Sequence, residues 1–237
     1  MPVSRFAAAL TAVAVAAMLS ACGGNSPAGP SPTPTPTPAP TPTPPIVLNG
    51  SPRITSMSAI PGFGIATLTT FSMTAAATDP DGDPLTFDWE LGDGTRLSGT
   101  SIVKSYLTGG AVTVTLTVTD GRGGSATDQR TISVGSLTGG WSGNIGFPGG
   151  RNVPATLELV QVGGVVTGTL SAQGDTGRTD PSQLGRIDSQ GAFEIRWKID
   201  PFIDFTMRGR MEATGLRISG GTFGSGFNGE PFVFDKR

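Results

Sequence analysis

Two absences limit the chemistry that the side chains of this chain can perform. The 237 residues include no histidine and a single cysteine, Cys22. Histidine is the commonest general base and metal ligand, so its absence removes Ser-His and Cys-His pairs as nucleophilic systems. One cysteine can form neither an intrachain disulfide nor a thiolate zinc site. Carboxylates therefore remain as the groups able to bind ions or transfer protons.

Paired carboxylates are the general acid–base route that stays open, as in glycoside hydrolysis. Glu158 and Glu194 are the candidates for such a pair, but the alternation of their strands points both side chains outward. We therefore assign no catalytic residue and predict that the protein is not an enzyme.

Three aspartates, Asp79, Asp81 and Asp83, stand at alternate positions of one short segment. Together with Glu90 they match positions 1, 3, 5 and 12 of an EF-hand loop, but the sixth position, which requires glycine, holds Pro84. A tight turn at Asp81 and the glycine after it, closed by prolines, is the simpler interpretation. A calcium site formed by the three aspartates is the alternative, and we predict no other cofactor.

The N-terminus reads as a targeting signal. Arg5 precedes an apolar run, 6–19, which is typical of a secretory signal and too short to span a bilayer. The run ends in Leu19-Ser20-Ala21-Cys22, which resembles the lipobox of bacterial lipoproteins. That resemblance implies cleavage of a signal peptide, 1–21, diacylglycerol on the Cys22 thiol, and an acyl chain such as palmitate on the new amino group. An ordinary signal peptide cleaved after Ala21 is the alternative.

The expected signal peptide places the protein outside the cytoplasm. Two or more acyl chains on the expected lipoprotein would anchor it stably to the cell membrane or outer membrane. After Cys22, residues 23–46 hold ten of the twenty prolines and no charge. Proline fixes φ and donates no backbone hydrogen bond, so neither helix nor sheet is open to this segment. We expect residues 22–46 to form a lipidated, disordered stalk, extended over roughly 60–75 Å at about 3.1 Å per residue.

Short alternating strands occupy residues 47–135. Leu85, Phe87, Trp89 and Leu91 share one face, and the valines of 112–118 alternate with threonines in the same way. Period-two alternation with β-branched residues indicates half-buried strands, and their spacing suggests a β-sandwich with Trp89 between its sheets.

One of these strands and its turn read Phe87-Asp88-Trp89-Glu90-Leu91-Gly92-Asp93-Gly94. This run resembles the Tyr-x-Trp-x-Phe-Gly-Asp-Gly signature of PKD (polycystic-kidney-disease-type) domains, and residues 106–120 resemble the family's closing strands. The resemblance implies an Ig-like sandwich whose structural motif is Trp89, Gly92, Asp93 and Gly94, with glycine supplying the positive-φ turn. It also implies an extracellular spacer or a contact module for proteins and glycans.

Residues 136–237 read as about eight glycine-punctuated strands, enough for an antiparallel meander to close a small barrel. The predicted strands are 140–147, 153–161, 165–172, 184–188, 192–199, 203–211, 215–223 and 231–236. Gly139-Gly140-Trp141 is similar to the opening of lipocalins, and avidins share a fainter likeness. We expect a filled interior, since small barrels are just wide enough for their own side chains. The large residues expected inside are Trp141, Leu157, Leu159, Leu170, Phe193, Trp197, Phe205, Met207, Phe223, Phe232 and Phe234.

Anchor, stalk and two all-β domains favour a non-catalytic binding or scaffold lipoprotein that contacts an envelope glycan or protein. The alternative is a carrier that holds a small apolar ligand in the barrel. The net charge of −2 and the absence of a basic cluster argue against a nucleic-acid partner, which requires clustered Lys and Arg.

Overall fold

The computed structural model describes residue 29 and residues 47–199 and 203–237. The expected signal peptide, the lipidated Cys22 and the stalk apart from Gly29 lie outside these ranges, so they stay predictions. Residues Val47–Arg237 form one compact unit. Seventeen strands and no helix occur in the described part of the chain, which confirms the all-β class. Over these ranges no helix has the length and apolar composition needed to cross a bilayer.

The first eight strands form two facing sheets. One sheet has the order β1-β3-β6, and the other has the order β2-β8-β7-β4-β5, in which β2 pairs with β8 in parallel. The strands are β1 Arg53–Ile60, β2 Phe63–Ile65, β3 Phe71–Thr78, β4 Thr86–Glu90, β5 Arg96–Ser98, β6 Ser101–Lys104, β7 Gly110–Thr119 and β8 Ser125–Gly135.

The alternation seen in the sequence decides which side chains enter the core of this sandwich. Along β7, Val114, Leu116 and Val118 are fully buried while the threonines between them are part-exposed. Trp89 lies between the sheets, and its indole N–H donates to the Gly99 carbonyl at 2.8 Å. The buried indole thereby keeps a hydrogen bond, which removes most of the cost of taking its polar edge out of water.

The remaining nine strands close into an eight-position antiparallel barrel. Each strand pairs with the next, except that β12 and β13 do not pair with each other, and β17 returns to pair with β9. The strands are β9 Gly139–Phe147, β10 Arg151–Val162, β11 Val165–Ala172, β12 Asp175–Thr179, β13 Gly185–Ile187, β14 Ala192–Ile199, β15 Ile203–Met211, β16 Arg217–Gly224 and β17 Phe227–Lys236.

Two of these strands share one position in the barrel wall, because β12 and β13 each pair with both β11 and β14. The sequence reading missed β12. Its five residues include only one buried position, Gly177, so apolar alternation could not reveal the strand.

Large and small side chains complement each other inside the barrel. Gly209 on β15 pairs with Gly220 on β16. On the neighbouring strands, Phe193 of β14 pairs with Gly209, and Phe232 of β17 pairs with Gly220. The two phenyl rings meet over this glycine pair with centroids 6.0 Å apart. A Cβ on Gly209 would come within 2.7 Å of Phe232 Cζ and 2.9 Å of Phe193 Cζ. The glycines therefore make the room that the rings fill.

The predicted inward set is buried with one exception, Phe223. A register shift lies between Thr222 and Phe223, and Thr222 is the residue that points inward. Phe223 is on the outer wall, 37% exposed, with the Arg208 guanidinium 5.5 Å from its ring centroid. The assignment of Phe223 to the interior was therefore wrong, because a large aromatic residue was placed by type rather than by the alternation of its strand.

The sandwich and the barrel share buried contacts at their junction. Ile65, on β2 of the sandwich, is fully buried in the core cluster of the barrel. The Thr69 hydroxyl accepts the Ile65 N–H at 2.8 Å and donates to the Ser189 carbonyl at 2.9 Å. The Gln161 side chain accepts the Leu137 N–H at 2.9 Å and donates to the Ala66 carbonyl at 3.2 Å. Both apolar and polar contacts therefore fasten the two halves together.

Candidate metal centre

The segment between β3 and β4 folds back on itself around one aspartate. Asp79 Oδ1 accepts the backbone N–H of Asp81 at 2.9 Å and that of Asp83 at 3.2 Å. Gly82 takes a positive φ of 77°, which glycine adopts without the steric cost that a side chain brings. Aspartate commonly caps a turn in this way, since its side chain bonds backbone donors two residues on.

The same turn brings three carboxylates together. One oxygen from each of Asp79, Asp81 and Asp83 lies within 4.8 Å of the other two. The Asp83 side chain is only 6% exposed. Its Oδ2 and that of Asp79 are buried and have no hydrogen-bond partner among the residues that the structure describes. A buried carboxylate oxygen without a partner costs free energy, so these two atoms need a cation or donor from beyond the described part of the chain.

Residues remote in sequence complete the surroundings of this acidic cluster. The Gly50 N–H donates to Asp81 Oδ2 at 2.6 Å, and the Arg122 guanidinium lies 3.2 Å from Asp83 Oδ1. The Asn49 side chain donates to Asp120 Oδ2 at 2.7 Å. Neighbouring loops therefore converge here from three separate parts of the chain.

Asp120 anchors the loop that carries Arg122. Its Oδ1 accepts the backbone N–H groups of Arg122 at 2.7 Å and Gly124 at 3.0 Å. These bonds, that of Arg122 first, hold the pKa of the Asp120 carboxyl below its usual value. The sequence reading missed Asn49, Gly50, Asp120 and Arg122 as parts of this site, because no local pattern signals which loops meet.

The oxygen arrangement fits a hard cation. Calcium–oxygen distances are about 2.3–2.6 Å, so two oxygens on one ion lie at most about 5 Å apart. The separations of up to 4.8 Å within the cluster satisfy this limit. Three carboxylates face one guanidinium, which leaves net negative charge for an ion to neutralise. Glu90 takes no part in the cluster: it lies on β4, where its partner is Arg96 at 3.5 Å.

The residues of the predicted structural motif form a second, separate group. The Asp93 carboxylate forms an ion pair with Lys104 Nζ at 2.7 Å and accepts the Thr95 N–H at 3.0 Å. These contacts, with the Lys104 bond as the main cause, lower the pKa of Asp93 to about 2. Gly92 has φ of 74°, and a Cβ there would lie 2.7 Å from the Thr113 carbonyl oxygen. The motif thus serves a turn and an ion pair, with Trp89 in the core beside it.

The two glutamates considered for catalysis do not meet. Glu158 lies on β10 and pairs with Arg237, and Glu194 lies on β14 and pairs with Arg208 at 3.0 Å. Both side chains are more than half exposed.

Side chains occupy the interior of the barrel. Trp141, Trp197, Met207 and Phe234 are fully buried there. At the end away from the sandwich, Phe227 packs against Phe147 and Phe205 with ring centroids 5.1 and 5.2 Å apart. This aromatic cluster closes that end, and Ile65 of the sandwich enters at the other.

Comparison with known families bears on the first half of the fold. Residues 61–134 match the family model of the PKD domain. The sandwich is a PKD domain. The chain is also similar to the pre-pro-metalloprotease PrtV of Vibrio cholerae serotype O1, in strains M66-2 and ATCC 39315 / El Tor Inaba N16961. Each match is 40% identical over 58 residues, which is 24% of this chain and 6% of the protease. The chain thus spans a small part of these relatives.

One solved structure covers both halves of the fold. It comes from a study of the promiscuous specificity of carbohydrate-binding modules from the β-sandwich superfamily. The likeness covers 80% of this chain and 93% of that one, at 15% identity and a TM-score of 0.36. A similarity of this size carries no argument about function. The resemblance of the barrel to lipocalins stays a prediction.

Proposed function

We propose that this chain is a non-catalytic binding lipoprotein, held to a membrane through lipid on Cys22 and exposed outside the cytoplasm. The observation that carries the binding role is the fused junction, where Ile65 of the PKD domain is buried in the barrel core. Because the two halves share buried contacts, their outer surfaces keep a fixed orientation relative to each other and form one continuous surface for a partner. A preorganised surface loses little conformational freedom on binding.

The partner that we propose is a glycan or a protein of the cell envelope. The PKD resemblance supports this class, because such domains serve as spacers and contact modules. The carrier alternative has less support, because Trp141, Trp197 and Phe234 occupy the space in which an apolar ligand would lie. A capture experiment separates the two: the Cys22→Ser chain, immobilised and exposed to envelope extract, should enrich a glycan or protein over blank resin. Native mass spectrometry of the same chain would reveal a co-purifying apolar mass if the carrier alternative holds.

The anchor has its own test. A Cys22→Ser change should move the protein from the membrane fraction to the soluble fraction and abolish incorporation of labelled fatty acid. The matched control is Ser26→Ala, which alters the same segment and leaves the cysteine in place, so its partitioning should equal that of the wild type. Membrane partitioning that survives Cys22→Ser would contradict the anchor.

We propose in addition that the acidic cluster binds calcium and stabilises the PKD domain. The two buried, unpartnered oxygens of Asp79 and Asp83 support this assignment, together with the separations that suit one ion. The ion would take Asp79 Oδ2 and Asp83 Oδ2 with an oxygen of Asp81, and water would fill the remaining positions of a six- to eight-coordinate shell. An ion held there would tie Asp79 at the start of the turn to Asp83 at its end.

Calorimetric titration and thermal unfolding test this ion site. Calcium at about one hundred times its dissociation constant stabilises the folded state by about 2.7 kcal/mol. For a body of this size that corresponds to a rise of about 5–10 °C in Tm. Asp83→Asn should abolish both the heat of binding and the rise, whereas the control Asp128→Asn, on β8 of the same domain, should retain them. No heat and no change in Tm for the wild type would refute the site.

A further inference from the structure

A cleft of about 310 Å³ lies where the PKD domain meets the barrel. We name it the junction cleft, and the residues that matter for its chemistry are Thr67, Leu107, Thr108, Thr138, Gln161 and Lys236. The first three come from the PKD domain and the last three from the barrel side. Clefts between packed units are common places for small-ligand sites.

Lys236 supplies the charge of this cleft. Its ammonium donates to the Ser136 carbonyl at 2.7 Å and lies 5.2 Å from the centroid of the Trp141 ring. The side chain is half-buried, and this burial lowers the pKa of Lys236. An ammonium carries three N–H donors, so donors remain after the Ser136 bond.

No carboxylate pairs with Lys236 among the residues that the structure describes. The described lining of the cleft includes no Asp or Glu either. Other cations on the barrel wall differ: Arg208 pairs with Glu194 at 3.0 Å and Arg217 with Asp235 at 2.7 Å. A half-buried charge without a counter-charge is unfavourable. An anion from outside would remove that cost.

The PKD side of the cleft adds an apolar group and a strained backbone. Leu107 lines the cleft and is 81% exposed, so its aliphatic side chain is open to a ligand. Thr67 has a φ of 66°, a region that β-branched residues rarely enter. Its N–H donates to the Tyr106 carbonyl at 2.7 Å, which holds it in that conformation. Strained residues of this kind cluster at ligand sites.

We propose that the junction cleft binds an organic carboxylate that bears a short aliphatic group, with the carboxylate on Lys236 and the aliphatic group against Leu107. Thr108 and Thr138 also line the cleft. Such a carboxylate is provided either by a free aliphatic acid or by the C-terminal residue of a peptide. This site is separate from the acidic cluster and from Cys22, so its test is independent of both.

The test is a titration of the folded Cys22→Ser chain, followed by amide chemical shifts. The probe is N-acetyl-L-leucine, and its neutral isostere N-acetyl-L-leucinamide is the control ligand. The acid should shift the amides of Thr67, Thr108 and Lys236 and should bind about ten-fold more tightly than the amide, because a charge-assisted hydrogen bond is lost in the amide. Equal affinities, or shifts confined to other parts of the chain, would overturn the proposal.

Variants separate the cleft from a general effect of charge. Lys236→Met should weaken binding of the acid about ten-fold, and Lys236→Arg should restore most of it, because the positive charge returns. Lys198→Met, an exposed lysine on the outer wall of β14, is the matched control and should bind as the wild type does. If Lys236→Met unfolds, Leu107→Ser provides the second arm, and its affinity for the acid should fall severalfold. Unchanged binding in both Lys236→Met and Leu107→Ser would refute the site.

Two further titrations distinguish the sources of the carboxylate. Isovalerate represents the free aliphatic acid, and a tripeptide that ends in leucine with a free carboxylate represents the chain terminus. Tighter binding of isovalerate than of the tripeptide assigns the site to small acids, and the reverse order assigns it to peptide termini. Failure of both ligands to bind, with N-acetyl-L-leucine also inactive, would contradict the proposal.

Discussion

The shared junction predicts that a PKD-domain residue and a barrel residue depend on each other for stability. Ile65 is 0% exposed and Met211 is 2% exposed, and both belong to the barrel core. The two side chains pack over Gly135, where a Cβ would meet the Met211 sulfur and come within 3.1 Å of Ile65 Cδ1. The perturbation is the pair of truncations Ile65→Ala and Met211→Ala, made singly and together.

The expected magnitudes follow from burial. Ile65→Ala removes three buried carbons, about 2.4 kcal/mol at about 0.8 kcal/mol each. The cavity that remains raises the loss in the free energy of unfolding to about 3 kcal/mol, within the usual range of about 2–5 kcal/mol. Met211→Ala should cost a similar amount. Because each truncation removes the same contact, the double variant should lose about 1 kcal/mol less than the sum of the single losses.

The assay is urea unfolding at equilibrium, followed by far-UV circular dichroism and by tryptophan fluorescence. The matched control is a second pair of truncations in which Ile102→Ala takes the place of Ile65→Ala. Ile102 is 8% exposed and lies in the separate core of the PKD domain. Ile102→Ala and Met211→Ala should add within about 0.5 kcal/mol, as independent sites do. A coupling between Ile65 and Met211 that is also within that margin of zero would refute the shared core.

Three other predictions follow from named contacts. Gly209→Ala should lower Tm in a thermal melt and cost about 1–3 kcal/mol, because the new methyl overlaps two phenyl rings and a backbone carbonyl that cannot yield. Lys104 lowers the pKa of Asp93 to about 2 in the folded protein, whereas the pKa of an aspartate in the unfolded chain is about 4. The resulting stabilisation is complete above about pH 4 and is lost as the pH falls through about 2. The urea midpoint should therefore fall less steeply between about pH 5 and about pH 2 in Lys104→Met than in the wild type. Tyr106→Phe should cost about 1–3 kcal/mol in urea unfolding, because the buried Leu91 carbonyl loses the phenol O–H that it accepts at 3.0 Å, and an unchanged midpoint would contradict that role.

The sandwich was readable from the sequence because its signals are local. Alternation along β7 and the turn at Gly92 depend on neighbours only a few residues away. The barrel class was readable for the same reason, yet β12 escaped notice, and Phe223 was assigned to the wrong side of the wall. β12 escaped because its residues are mostly polar, and Phe223 was misassigned because it follows Thr222, the residue that the alternation of β16 turns inward.

The acidic cluster was partly visible, since Asp79, Asp81 and Asp83 lie in one short segment. Which of their oxygens are buried without a partner could not be predicted, because burial comes from loops remote in sequence. Arg122 and Gly50 reach the cluster only through the packing of the sandwich.

The sequence by itself determined the all-β class, the alternation that turns the core side chains of β4 and β7 inward, and the absence of histidine and of any second cysteine. These properties follow from residue type and from spacing along the chain. Tertiary structure decided that Ile65 enters the barrel core and that Lys236 faces a cleft without a carboxylate. Such contacts join residues that are far apart along the chain, and no local pattern records them. They arise because two sheet systems with open apolar ends gain most by burying those ends against each other.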